Sequence, residues 1–180
     1  MMSANPSKLD KAIKNAVPIS SCLKRLLPHE RRLYEEGELF NITHHGSSSI
    51  WLESPSSVVP PGKLSVFRPM GDKEVLFLIE NNQLPSTQPY QAIIQGEPGR
   101  EYSTKYLTGA KWTDTHPTTV VEFVCPDELI YTLEKMQTKI EDGVMSMGLG
   151  DKAGKGLPLF NDSLKNQSTT WRIVKIKRSK

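Results

Sequence analysis

Arg68 closes a short apolar run, Leu64-Ser65-Val66-Phe67, and Pro69-Met70-Gly71 carries the chain from it into Asp72-Lys73-Glu74. An arginine delivered at the end of a strand, directly before a helix, has a nearly fixed guanidinium fork suited to a phosphate or carboxylate. On a helix face the same side chain would be solvated. Arg68 is therefore the best single candidate for a ligand contact. His44 and His45, followed by Gly46 and three serines, are the only adjacent histidines, and imidazole exchanges protons near neutral pH. Neighbouring histidines point in different directions and no Cys or His accompanies them at ligand spacing, so no metal site is expected. Two carboxylates stand out. Glu122 interrupts the β-branched run Thr118 to Cys125, where a carboxylate must face solvent, a cleft or a cation; alternation sets it opposite Val121 and Phe123, and a solvated face is the simpler expectation. Glu141 precedes Asp142 and Gly143, where an ordinary helix-ending turn would also gather polar residues.

Other chemistries find little support. The segment Met147 to Gly156 is rich in glycine, but Gly154-Lys155 is followed by Gly156 rather than Ser or Thr, and position 149 is Leu, so it is not a P-loop. Gly148-x-Gly150-x-x-Ala153 meets a relaxed dinucleotide pattern with too few residues left for a βαβ unit. A loop covering a ligand is the expectation there. No Gly-x-Ser-x-Gly elbow exists, and neither Cys22 nor Cys125 sits in a nucleophile motif.

The elements that must position these residues follow from periodicity and punctuation. A short amphipathic helix is predicted from Ser7 to Val17, and a second helix from His29 to Phe40. Residues 41–62 are rich in Ser, Pro and Gly and predict a surface loop with at most a short strand at Ile50 to Leu52. The folded body is expected from about Gly62. Lys63 to Arg68 predicts a strand, and Asp72 caps a helix burying Val75, Leu76, Leu78 and Ile79. Tyr90 to Gln95 reads as a strand before the turn Gly96-Glu97-Pro98-Gly99, after which Tyr102 to Leu107 either alternates or winds into one helical turn. Thr118 to Cys125 is the clearest strand and belongs at the sheet centre. Asp127 begins a helix to about Ile140, a glycine-rich loop spans 143–156, and Trp171 to Lys177 closes the chain as a strand. Strands outnumber helices after Gly62 and are not separated by regular helices. This predicts an α+β fold with a mostly antiparallel, split β-sheet core at 63–180, preceded by a helical and loop segment at 1–62.

At 180 residues the chain can bury one sizeable core without disulfides or metal. Its +3 formal charge is too small for a dedicated nucleic-acid binder, although anionic ligands are permitted. The basic residues Arg172, Lys175, Lys177, Arg178 and Lys180 read as an exposed strand edge protected against aggregation. No continuous apolar run marks a signal peptide or membrane span, and two thiols far apart in sequence fit a reducing compartment. A cytoplasmic location, or delivery to a target cell by a route outside this chain, is expected.

The order of a strand ending in Arg68, a helix ending in Asn81-Asn82-Gln83-Leu84-Pro85, a glycine turn, Tyr102-Ser103-Thr104 and then Val120-Val121-Glu122-Phe123 resembles the mono-ADP-ribosyltransferase superfamily, particularly its compact toxin and effector members. The resemblance covers roughly Lys63 to Lys177 and rests on element order and short motifs. It implies NAD as substrate, with Arg68 on the cofactor diphosphate, Ser103 and Thr104 partly matching the supporting Ser-Thr-Ser strand, and Glu122 or Glu141 at the ribose. A second class of that superfamily begins with His-Gly-Thr; His45-Gly46-Ser47 is similar to it, with Tyr102 or Tyr106 as the ring stacking on nicotinamide. Only one of Arg68 and His45 can fill the first-strand role. The reading implied is an ADP-ribosyltransferase or NAD glycohydrolase acting on a macromolecular acceptor or water. Two others compete with it: a metal-independent ribonuclease using His44 or His45, and a non-enzymatic recognition domain anchored by Trp51 or Trp112.

Overall fold

The run of β-branched residues before Pro126 forms the strand around which everything else is arranged. The structure, a computed structural model, describes residues 23–42, 49–86, 91–109, 116–136, 138–141, 144–149 and 156–179. Its strands are β1 (Phe40–Asn41), β2 (Ile50–Glu53), β3 (Lys63–Met70), β4 (Ala92–Gln95), β5 (Thr119–Pro126), β6 (Thr138–Glu141), β7 (Val144–Gly148) and β8 (Thr170–Arg178). Its α-helices are α1 (Pro28–Glu35), α2 (Asp72–Asn81), α3 (Gly96–Thr104), α4 (Asp127–Met136) and α5 (Gly156–Lys165). The fold is α+β, and the strands make one antiparallel sheet in the order β1-β2-β8-β5-β3-β4-β7-β6. The predicted helix at 7–17 lies outside the described residues.

Alternation sorts the side chains onto two faces. Val66, Val121, Phe123 and Ile173 point to the face covered by helices, where Val75 and Leu78 of α2, Ile130 and Leu133 of α4, and Phe160 and Leu164 of α5 complete the main core. Phe67, Val120 and Val174 point to the other face, with Leu107 and Trp51. Burial of this kind is worth roughly 1.5–3 kcal/mol for each large apolar side chain, so the main core dominates stability.

The sheet narrows at one joint. β3 pairs with β5 over its whole length, but with β4 only at Val66↔Gln95 and Phe67↔Ile94. Pro69 brings no N–H to the ladder, and beyond Phe67 the two strands part. This opening is what the fold offers in place of a division into two sheets.

Several expectations change. The body does not begin at Gly62: Leu26, Leu39, Ile50 and Leu52 belong to the main core, and β2 pairs with β8. The second helix stops at Glu35, because Gly37 takes a left-handed φ of 78° that turns the chain into β1. In α2, Val75 and Leu78 are buried while Leu76 and Ile79 are exposed. The Gly96 turn is the start of α3, not a separate turn, and Tyr102 to Thr104 winds rather than alternates. α4 ends at Met136, so Ile140 falls in β6. Part of the predicted glycine loop is β7, and a helix missed in the sequence, α5, follows at Gly156. β8 is not an edge but lies between β2 and β5. Its basic residues serve ion pairs: Arg172 with Glu122, Lys175 with Glu53, and Arg178 with Glu30 and Asp72. Among the described residues no helix is long and apolar enough to cross a membrane.

Candidate functional site

The opening between β3 and β4 holds Arg68. By alternation the residue starts on the face of Val66 and Met70, under α2, and α2's first turn meets it with Glu74. Nε donates to Glu74 Oε2 at 2.6 Å and Nη2 to Oε1 at 2.9 Å, a two-pronged pair whose side chains are 10% and 5% exposed. Nη1 donates across the gap to the backbone oxygen of Ala92 at 3.2 Å. Three of the five guanidinium N–H groups are thereby used. Glu74 aims the fork.

A crevice of about 210 Å³ opens beside it, lined by Arg68, Pro69, Ala92, Ile94, Tyr102, Tyr106 and Ser146. α3 delivers the tyrosines. Gly99 lets the helix lie against β4, since a Cβ there would stand 2.5 Å from the backbone oxygen of Ile94. One turn later the Tyr102 ring reaches the crevice, with Tyr106 edge-on to it at 5.3 Å between centroids and donating its hydroxyl to the Tyr102 hydroxyl at 2.8 Å. Pairing of Ser146 with Ile94 puts the β7 hydroxyl on the same wall.

Glu122 does not join this group. It pairs with Phe67, which pairs in turn with Ile94, so it shares the sheet face of Ile94 and Ser146 rather than that of Arg68, but it stands on β5, across β3 from the crevice, and does not line it. The expected solvated carboxylate is also corrected: Glu122 is 2% exposed. It accepts hydrogen bonds from Ser57, Ser65 and Arg172, the last at 2.9 Å. Burial raises its pKa, but these hydrogen bonds together outweigh that and hold the carboxyl below its usual range.

The remaining candidates separate. Ser103 and Thr104 lie in the last turn of α3 rather than on a strand; the Ser103 hydroxyl is buried without a partner, and Thr104 bonds back to the Arg100 oxygen at 2.7 Å. Neither lines the crevice. His44, His45, Gly46 and Trp112 lie outside the described residues. Trp51 stacks under Lys177, 5.1 Å from its ammonium. The backbone of Glu141 is described and pairs with Val144, two residues before Ser146 on β7, while its side chain lies outside the described set. Cys125 is buried, and burial pushes its thiol up to about 12, which leaves it without nucleophilic character. No group of three His, Cys, Asp or Glu gathers as a metal site among the described residues.

Sequence reasoning missed Glu74 and Ser146. Glu74 is legible only as an acidic residue at a helix start, and Ser146 lies where the glycine content predicts a loop. Comparison with family models, with curated proteins and with solved structures finds no match to this chain.

Proposed function

We propose that the chain consumes NAD, transferring ADP-ribose to a macromolecular acceptor or to water, as the compact toxin and effector enzymes of the resembled superfamily do. The observation that carries this reading is the convergence of an aimed guanidinium, a tyrosine pair and a serine hydroxyl on one crevice between parted strands. At about 210 Å³ the crevice is smaller than the ~300–1,000 Å³ usual for whole small ligands. It suits one ring, the nicotinamide, against Tyr102, with the pyrophosphate at its mouth on the remaining N–H groups of Arg68.

The reaction breaks the bond between ribose C1′ and the pyridinium nitrogen. The bonding pair goes to the ring, which leaves as neutral nicotinamide, and the acceptor's lone pair forms the new bond at C1′ while its proton passes to solvent or a base. Positive charge builds on the ribose in between, and a fixed carboxylate stabilises it. Of the two glutamates, Glu141 is favoured, because its register partner Val144 lies two residues before Ser146 on β7, whereas Glu122 lies on β5, across β3 from the crevice, with its carboxylate taken by Ser57, Ser65 and Arg172.

Nicotinamide release from NAD tests this reading. The wild-type chain releases nicotinamide, Glu141→Gln stops release, and Glu122→Gln leaves the rate per folded molecule within a few-fold. Absence of release with protein, nucleic-acid and water acceptors overturns the enzyme reading, and loss of release in Glu122→Gln alone overturns the assignment.

A further inference from the structure

The segment between β2 and β3, Ser54 to Gly62, crosses the sheet face that Glu122 occupies without joining any strand. The Ser54 N–H donates to the Val174 oxygen at 2.9 Å, and Arg172 Nη2 donates to the Pro55 oxygen at 2.9 Å. The Ser57 hydroxyl sits between charges: it donates to Glu122 and accepts from Arg172. Cavities flank it on both sides, one of about 680 Å³ bounded by Phe40, Pro55, Val58, Pro60 and Trp171, the other of about 330 Å³ at the start of α3. Ser57 and Glu122 line both. Val58 is 86% exposed, and Gly62 ends the segment at φ 79° with nothing near the position of a Cβ.

A carboxylate and a guanidinium fixed side by side form a receptor for one hydroxyl, which must give a proton to the first and take one from the second. In this chain that receptor is filled by a serine carried on a proline-rich segment, beside a groove whose walls outside that segment include the aromatic side chains of Phe40 and Trp171. The geometry points to a peptide-binding groove plugged by its own strap: its external ligand is an extended, proline-flanked peptide of another protein carrying Ser or Thr, which enters when Ser54 to Pro61 lifts about Gly62. Extended proline-rich segments suit aromatic-walled grooves because little conformational freedom is lost on docking. This inference does not depend on NAD chemistry.

The test uses a fluorescent synthetic peptide with the strap's own sequence, Ser-Pro-Ser-Ser-Val-Val-Pro-Pro, and the full chain, by fluorescence anisotropy. Ser57→Ala weakens the internal plug and leaves the receptor vacant. It is expected to bind the peptide at least about tenfold more tightly than the wild type does, and replacement of the peptide's fourth residue by alanine is expected to lose at least about tenfold on the same protein. The second comparison changes only the peptide, so it stands whatever the substitution does to stability. Equal binding of the serine and alanine peptides, or no binding to folded Ser57→Ala at peptide concentrations up to the millimolar range, overturns the proposal.

Discussion

Replacing Arg68 with methionine separates what this residue does for the fold from what it does for a ligand. The substitution keeps the length and apolar stem of the side chain but strips Glu74 of both bonds, at 2.6 and 2.9 Å, and leaves its carboxylate 5% exposed. Removing one member of a buried pair costs about 3–5 kcal/mol. For a chain of this size that lowers the melting temperature by roughly 6–20 °C. The double variant Arg68→Met, Glu74→Met removes both charges, and replacing a buried pair by apolar groups is commonly neutral or stabilising. Its stability is expected within about 1 kcal/mol of wild type or above it. Ligand binding does not recover with it: titration calorimetry with NAD is expected to show at least a tenfold weakening, since a charge-assisted hydrogen bond contributes about 1.5–3 kcal/mol. Urea unfolding followed by tryptophan fluorescence supplies the stability half. A double variant that is as stable as wild type and binds NAD as tightly would refute the ligand role of Arg68. A single variant losing less than about 1 kcal/mol would refute the pair as described.

Arg178→Met is expected to cost about 3–5 kcal/mol at neutral pH, because it leaves Glu30, 0% exposed, without the partner at 2.8 Å. Burial already raises the Glu30 pKa above 4.5, with Arg178 offsetting part of it. The variant raises it further, so its deficit grows as pH climbs through the folded pKa and shrinks below 4.5, where the carboxyl is protonated in both states, as denaturation at a series of pH values will show. Gly99→Ala drives a Cβ to 2.5 Å from a backbone oxygen and should destabilise by about 1–3 kcal/mol while weakening NAD binding through displacement of Tyr102, read by unfolding and titration together. His29 is pushed down to about 4, first by burial and then by the Arg178 charge, so the stability its neutral form gives is present above 6.5 and lost as pH falls toward 4. His29→Gln should flatten that part of the acid limb in a pH-jump or equilibrium titration.

Much of the central sheet was legible because its signals are local. Thr119 to Pro126 is β-branched and punctuated by proline, and the pattern from Lys63 through Asp72 states strand then helix in adjacent residues. What stayed hidden is long-range. Nothing near Arg178 in sequence announces Glu30, nearly 150 residues away, so the basic C-terminal strand looked like a solvated edge. The glycines around 148–156 masked β7 and α5, although Leu157, Phe160 and Leu164 recur at helical spacing. Arg68 stands two residues before the end of β3 at Met70 rather than at the strand end that the sequence predicts. Its separation from Glu122 follows from the β3–β5 register, which puts Phe67 rather than Arg68 opposite the glutamate.

A crystal of the chain soaked with NAD or nicotinamide decides whether the crevice beside Arg68 holds the ligand. The pyridine ring is expected against Tyr102 in the opening between β3 and β4, with Arg68 in hydrogen-bond contact with the ligand. A ring bound elsewhere, or a crevice that stays empty at saturating ligand, contradicts it.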